Sequence, residues 1–322
     1  MKPYLQVTLL FAFTQLLGIY AGFMLIFGTA AYPEMGEISV NPVQYQNDPM
    51  NAVIFILYIL AGAALVILLA RFYKGMLGFR LLEAMVVFSA SSIVFFAILF
   101  PPIFVVAQQN PSSIPLADAI GATSPIELAF VTSFLLGALI GLMLAAAKFL
   151  YDDMKNAAAV ISSAGVGALF GFSLGFLPAV LFIIGLSIYD YIAVFKTRHM
   201  IEMARELSSR QLSFAVTAKS MPARKPKEKA EEYVDRAMRE GERLDLGTGD
   251  LSVPLMISVS AAQPGALGPN GLLYALAVAA GSTLSLFLLL KFVSKNKIFL
   301  PALPPICLGG TIALLLVKLA GF

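Results

Sequence analysis

Asp190 and Asp250 are the two acidic residues that lie inside long apolar runs. Asp190 follows eleven apolar or neutral residues, Ala179 to Tyr189, and Asp250 opens onto the run Leu251 to Ala262. An ionisable side chain at membrane depth costs at least a few kcal/mol, so it needs a partner or a task. Two carboxylates a few ångströms apart in a low dielectric cannot both ionise, and they share one proton. The ionised member can then take a proton from water while the protonated member gives one to a carbonyl oxygen, a division of labour that hydrolyses amides. Counted at about 1.5 Å per helical residue, Asp190 lies about 9 Å inside Lys196. By the same count Asp250 lies about 7 Å inside Asp245 if that stretch is helical, so the two share a level. The structural alternative is a pair of acids bonded to neighbouring hydroxyls such as those of Tyr189 or Tyr191.

Two further stretches could serve that chemistry. The residues before Asp250 read Leu246-Gly247-Thr248-Gly249. Two glycines remove side-chain bulk, which lets another backbone or a substrate strand approach the carboxylate. Farther on, Leu300-Pro301-Ala302-Leu303-Pro304-Pro305 follows Lys297. Proline forbids a regular helix start there and leaves backbone groups to be met by water, protein or substrate.

The elements that must position these residues are membrane helices. Of the 322 residues, 59% are hydrophobic and 13% charged, against roughly 25% charged in soluble domains. Apolar runs long enough to cross about 30 Å of hydrocarbon cover Leu5 to Ala31, Asn51 to Ala70, Ala84 to Ala107, Leu128 to Ala147, Ala157 to Leu177, Ala179 to Phe195, Gly271 to Leu290 and Ile298 to Val317. The loops Tyr32 to Met50 and Gln108 to Pro125 and the turn at Pro178 contain no Lys or Arg, whereas alternate loops carry Arg71, Lys74, Arg80, Lys148 and Lys155. Basic residues mark the cytoplasmic side. A seventh helix from Leu246 to Ala262 returns Lys291, Lys295 and Lys297 to that side. The expectation is an all-α polytopic membrane protein of nine transmembrane helices, with the N-terminus cytoplasmic and the C-terminus extracytoplasmic. It divides into a six-helix part (1–195), a cytoplasmic polar loop (196–246) and a three-helix part (247–322). The polar loop holds 12 Lys+Arg and 9 Asp+Glu, reads as a solvated linker, and contains Lys227 to Leu244 as a stretch of helical propensity after an extension of the sixth helix through Phe214.

Other patterns carry less. A single Cys (Cys307) and a single His (His199) exclude an internal disulfide, a thiolate cluster and a two-histidine zinc motif, so neither metal nor cofactor is expected. The net charge of +3 arises within 196–246 and gives a nucleic-acid role no support. His199, beside Lys196 and Arg198, reads as an interfacial cation. Glu83 and Glu127 lie at helix ends, where they can reach headgroups. The first apolar run is too long for the 7 to 15 residues of a signal-peptide core and reads as a retained helix. Gly171-Phe172-Ser173-Leu174-Gly175 matches the serine-hydrolase elbow, but it sits in a helix and far from the histidine. Ser163, Gly167, Gly171 and Gly175 instead form a small-residue stripe for helix packing.

Tyr189-Asp190, Gly247-Thr248-Gly249-Asp250 and Pro301-Ala302-Leu303 resemble, in order, helix number and membrane side, the three signatures of the presenilin and signal-peptide-peptidase family of intramembrane aspartyl proteases, most nearly its archaeal members. The resemblance covers essentially the whole chain. It implies hydrolysis of transmembrane peptide or protein substrates in the lipid bilayer, with Asp190 and Asp250 catalytic. Tyr189, Gly247, Thr248, Gly249, Pro301, Ala302 and Leu303 would contribute to substrate binding, without a cofactor. It also implies an integral multi-pass protein of a prokaryotic, archaeal cell membrane. The short, non-acidic loop between helices six and seven departs from the eukaryotic presenilins and argues against a requirement for accessory subunits. Thr248 occupies a position often held by Leu. The rival reading is a proton-coupled secondary transporter, since intramembrane carboxylates and broken helices also build transport sites; residues 1–178 hold no second copy of the Gly-x-Gly-Asp or Pro-Ala-Leu pattern.

Overall fold

The computed structural model describes residues 2–31, 45–72, 76–110, 114, 124–151, 153–192, 215–219, 243–296 and 301–321. Among them are nine helices: α1 (Pro3–Ala31), α2 (Met50–Phe72), α3 (Met76–Gln109), α4 (Pro125–Leu150), α5 (Met154–Ser173), α6 (Phe176–Ile192), α7 (Thr248–Ala262), α8 (Gly271–Asn296) and α9 (Leu303–Leu319). Five of them (α1, α3, α4, α5 and α8) are long and apolar enough to cross a membrane, and α2, α6 and α9 supply shorter apolar stretches. Local sequence sets the ends where it can. At the start of α4 the Ser124 hydroxyl accepts the Glu127 N–H, with Pro125 in the first turn, an N-cap bond of the ordinary kind.

α7 lies at the centre, packed against α1, α5, α6, α8 and α9. Leu251, Ser252 and every residue from Pro254 to Ala261 are buried. Its 15 residues span only about 22 Å at 1.5 Å per residue, so surrounding helices rather than its own length secure it. Glycines permit the enclosure. A Cβ at Gly18 or Gly22 of α1 would collide with Leu255 or Val259, and one at Gly167 or Gly171 of α5 would meet Leu255, the Ser252 carbonyl, Val259 and the Met256 carbonyl. The small-residue stripe thus packs as expected at Gly167 and Gly171, while Gly175 lies against Asn47. At the far end of α7 the Gln263 amide donates to the carbonyls of Gly171, Phe172 and Leu174 at 2.8, 2.8 and 3.0 Å. It thereby meets carbonyls that the end of α5 leaves without intrahelical donors.

Three expectations change. First, the fold is not purely helical: β1 (Ala215–Lys219) pairs antiparallel with β2 (Arg243–Gly247), Ala215 opposite Gly247 and Lys219 opposite Arg243. Leu244 and Leu246 turn inward with Val216 onto Val7 and Phe11 of α1, a period of two too short to stand out beside the apolar run that follows. Second, Leu246 and Gly247 belong to this strand and α7 begins at Thr248, so the helical ruler does not apply between Asp245 and Asp250. Arg243 and Leu244 are likewise strand. The remainder of the expected 227–244 helix, the extension of the sixth helix beyond Ile192, and His199 lie outside the described residues.

Third, Glu83 is buried rather than at the headgroups. It lies 2.5 Å from Lys148 Nζ, with the two residues 3% and 4% exposed. The sixty-five positions between them hid the pair from a reading of helix ends, and α3 extends beyond the expected run to start at Met76. Removing one partner of a buried pair leaves the other charge uncompensated, which costs about 3–5 kcal/mol. Lys148→Ala should therefore lower the thermal midpoint in detergent markedly, and a Glu83→Met, Lys148→Leu double variant should recover much of the loss.

Candidate active site

Three elements converge on the two aspartates. In α6, Asp190 follows Ala179, Phe182 and Ile183 by eleven, eight and seven residues, which puts it on their buried face. It is 8% exposed. The backbone N–H of Leu303, at the start of α9, donates to its carboxylate, and Oδ2 is buried with no hydrogen-bond partner among the described residues. Asp250 is the third residue of α7, and the backbone N–H of Gly247, the N-cap, donates to its carboxylate. That is the reciprocal half of a capping box, and it aims the carboxylate back over the strand-to-helix junction, with Oδ2 3.4 Å from where a Cβ on Gly247 would stand. Asp190 and Asp250 lie close enough to act electrostatically on one another, and both act on the thiol of Cys307, one turn beyond Leu303 in α9.

The structure thus brings together Asp190, Asp250, Gly247 and Leu303. Among the described residues the donor to each carboxylate is a backbone N–H, that of Leu303 in the Pro-Ala-Leu stretch for Asp190 and that of Gly247 in its own Gly-x-Gly-Asp stretch for Asp250. Tyr189 is 51% exposed, its side chain on the outer surface of α6 rather than with Asp190. Pro301 is buried and Ala302 half-buried. Among the described residues nothing lies within 4 Å of a Cβ placed on Gly249, so the turn is open on that side.

The start of α9 has a specific cause. Its first helical bond runs from Ile306 N–H to Ala302 C=O at 3.3 Å. Pro304 and Pro305 have no N–H, so Pro305 cannot bond the Pro301 carbonyl four residues back and the helix cannot begin earlier. This leaves the Leu303 N–H outside any intrahelical bond and available to Asp190.

Beside the open turn lies a cavity of about 260 Å³. Thr248, Gly249 and Ser252 line it on one side, Ser162 and Ser163 on another, and the Glu83–Lys148 pair on a third, with Ile59, Phe170 and Phe182 among its apolar walls. The Ser163 hydroxyl is buried without a hydrogen-bond partner among the described residues. Sequence reasoning missed this polar lining, because its members come from four helices. The signal available was the presence of Glu83 and Lys148 next to apolar runs. Among the described residues no group of three or more His, Cys, Asp or Glu is placed to hold a metal ion.

Comparison with known proteins gives the family and the fold. The family model described as signal-peptide peptidase, presenilin aspartyl protease, matches residues 34–321. No curated protein is significantly similar to the chain in sequence. Two solved structures share the fold. Each is of a presenilin family intramembrane aspartate protease, one in the C222 space group (TM-score 0.59, 22% identity, covering 98% of this chain and 99% of that one) and one in P2 (TM-score 0.56, 22% identity, 98% and 97%). Neither comparison points to a transporter. A mostly helical integral membrane protein, with two buried or half-buried aspartates drawn together by three motifs and matched to this model over nearly all its length, this chain belongs to the presenilin and signal-peptide-peptidase family of intramembrane aspartyl proteases.

Proposed function

We propose that Asp190 and Asp250 are the catalytic pair of this endopeptidase and act on transmembrane helices from the cytoplasmic half of the bilayer. The observation that carries the reading is the convergence of the two carboxylates, with one Asp190 oxygen buried and without a hydrogen-bond partner among the described residues. The pair shares a proton; its ionised member takes a proton from water as that water attacks the scissile carbonyl carbon, and its protonated member donates to the carbonyl oxygen. Gly249 gives the substrate backbone room to reach the pair, and Thr248 and the adjoining cavity offer space to its side chains. Pro301 and Ala302 keep the start of α9 irregular, Leu303 orients Asp190, and Tyr189 faces arriving substrate from the outer surface of α6. In this reading all nine helices cross the membrane, the N-terminus is cytoplasmic and the C-terminus extracytoplasmic. The loop 196–246 joins a six-helix part (1–195) to a three-helix part (247–322), the membrane is that of a prokaryotic, archaeal cell, and no accessory subunit is required.

The test is incubation of the purified protein in lipid vesicles with a transmembrane peptide, products being identified by mass. Internal cleavage that a transition-state mimic of aspartyl proteases suppresses is the expected result. Proton-gradient-dependent uptake without peptide products would overturn it.

A further inference from the structure

We infer that Gln15 of α1 is a positioning residue for Asp250, its side-chain amide holding the first turn of α7 in the geometry the carboxylate pair needs. The inference rests on the reading of Asp190 and Asp250 as the catalytic pair. Gln15 is 1% exposed, and its Nε2 donates to the carbonyl of Leu251, the residue after Asp250, at 2.9 Å across 236 positions of sequence.

That turn needs support from outside itself. In a regular helix the N–H of residue 254 would bond the Asp250 carbonyl, but residue 254 is proline, which has no N–H and whose ring crowds the carbonyl four residues back. Side chains hold the turn instead. Ser252 Oγ donates to the carbonyls of Thr248 at 2.9 Å and Ser163 at 3.1 Å, Asp250 accepts from Gly247, and Gln15 donates to Leu251. The approach of α1 is built for this contact. Gly18 and Gly22 continue the face of Gln15 at spacings of three and seven, and each meets α7 where a Cβ would collide. Gln15 Oε1, moreover, is buried with no hydrogen-bond partner among the described residues. An apolar side chain of the same size would avoid that cost, so the amide is retained for what its nitrogen does. The family match begins at residue 34, so it assigns nothing to α1.

Gln15→Met keeps the volume and removes the donor; Gln15→Asn keeps an amide too short to reach Leu251. Displacing a reacting group by about 1 Å costs up to about 100-fold in rate, so both variants should lower kcat by about 10- to 100-fold and weaken a transition-state mimic. KM for a transmembrane peptide should stay within about twofold, since a group acting only on transition-state geometry leaves ground-state binding alone. The control is Gly22→Ala, which strains the α1–α7 contact at Val259, two turns from Leu251. Compared at equal loss of thermal midpoint, Gly22→Ala should retain kcat where Gln15→Met does not. Equal kcat losses at equal midpoint losses, a rise in KM without a fall in kcat, or full activity in Gln15→Asn would each overturn the inference. If Gln15→Met does not fold, Gln15→Asn against Gly22→Ala decides alone. Inactive aspartate variants together with an ordinary Gln15→Asn would sink the Gln15 inference only, whereas active aspartate variants would sink the catalytic reading beneath it.

Discussion

Asp190→Asn and Asp250→Asn should each reduce cleavage of a transmembrane peptide by about 10⁴-fold or more, as loss of a member of a catalytic unit does, with little loss of thermal stability. The two substitutions keep shape and size but remove the shared proton's second site. The carbonyl oxygen of an asparagine side chain can still accept the Leu303 or Gly247 N–H that each carboxylate accepts, so the local scaffold survives. The double variant should be no worse than either single one, since residues acting as a unit are not additive. Cleavage by mass spectrometry and the melting midpoint in detergent check both halves. Wild-type turnover in either single variant would remove that residue from the catalytic pair.

Leu303→Pro should lower cleavage by about 10²–10³-fold, the scale set by loss of one preorganised donor, and far more than Leu303→Ala does. The two variants divide the residue into its parts. Alanine removes the buried side chain and keeps the N–H that Asp190 accepts, whereas proline removes the N–H at a first helical position that tolerates it. Proline there also pushes the preceding Ala302 out of its αR conformation (φ −84°, ψ −35°), so both consequences fall on the donor to Asp190. Pro301→Ala should be milder than Leu303→Pro. Pro304 and Pro305 still hold the start of α9 at Leu303, so a lone exchange at 301 does not let the helix extend backward. Kinetics and the affinity of a transition-state mimic read the differences, and equal activity in Leu303→Pro and Leu303→Ala would assign the segment a packing role alone.

Taken by itself, the sequence determined that the chain is a membrane protein, where its apolar helices run, and that Asp190 and Asp250 are acids set within or against long apolar runs. Each of these follows from local quantities: mean hydropathy over a helix length, and the cost of charge within it. The Gly-Thr-Gly-Asp and Pro-Ala-Leu stretches were legible too, because glycine and proline act on their own backbone. Their contacts were not. That Leu303 offers its N–H to Asp190 and that Glu83 is neutralised by Lys148 are decided by segments far apart in the chain. The strand through Gly247 appeared only with its partner Ala215–Lys219 in place, since five alternating residues gain little until a second strand satisfies their backbone. Gln15 is the extreme case. In the sequence it is one amide in an apolar run, and only the packing of α1 on α7, at glycines that admit no side chain, brings it to the carbonyl beside Asp250.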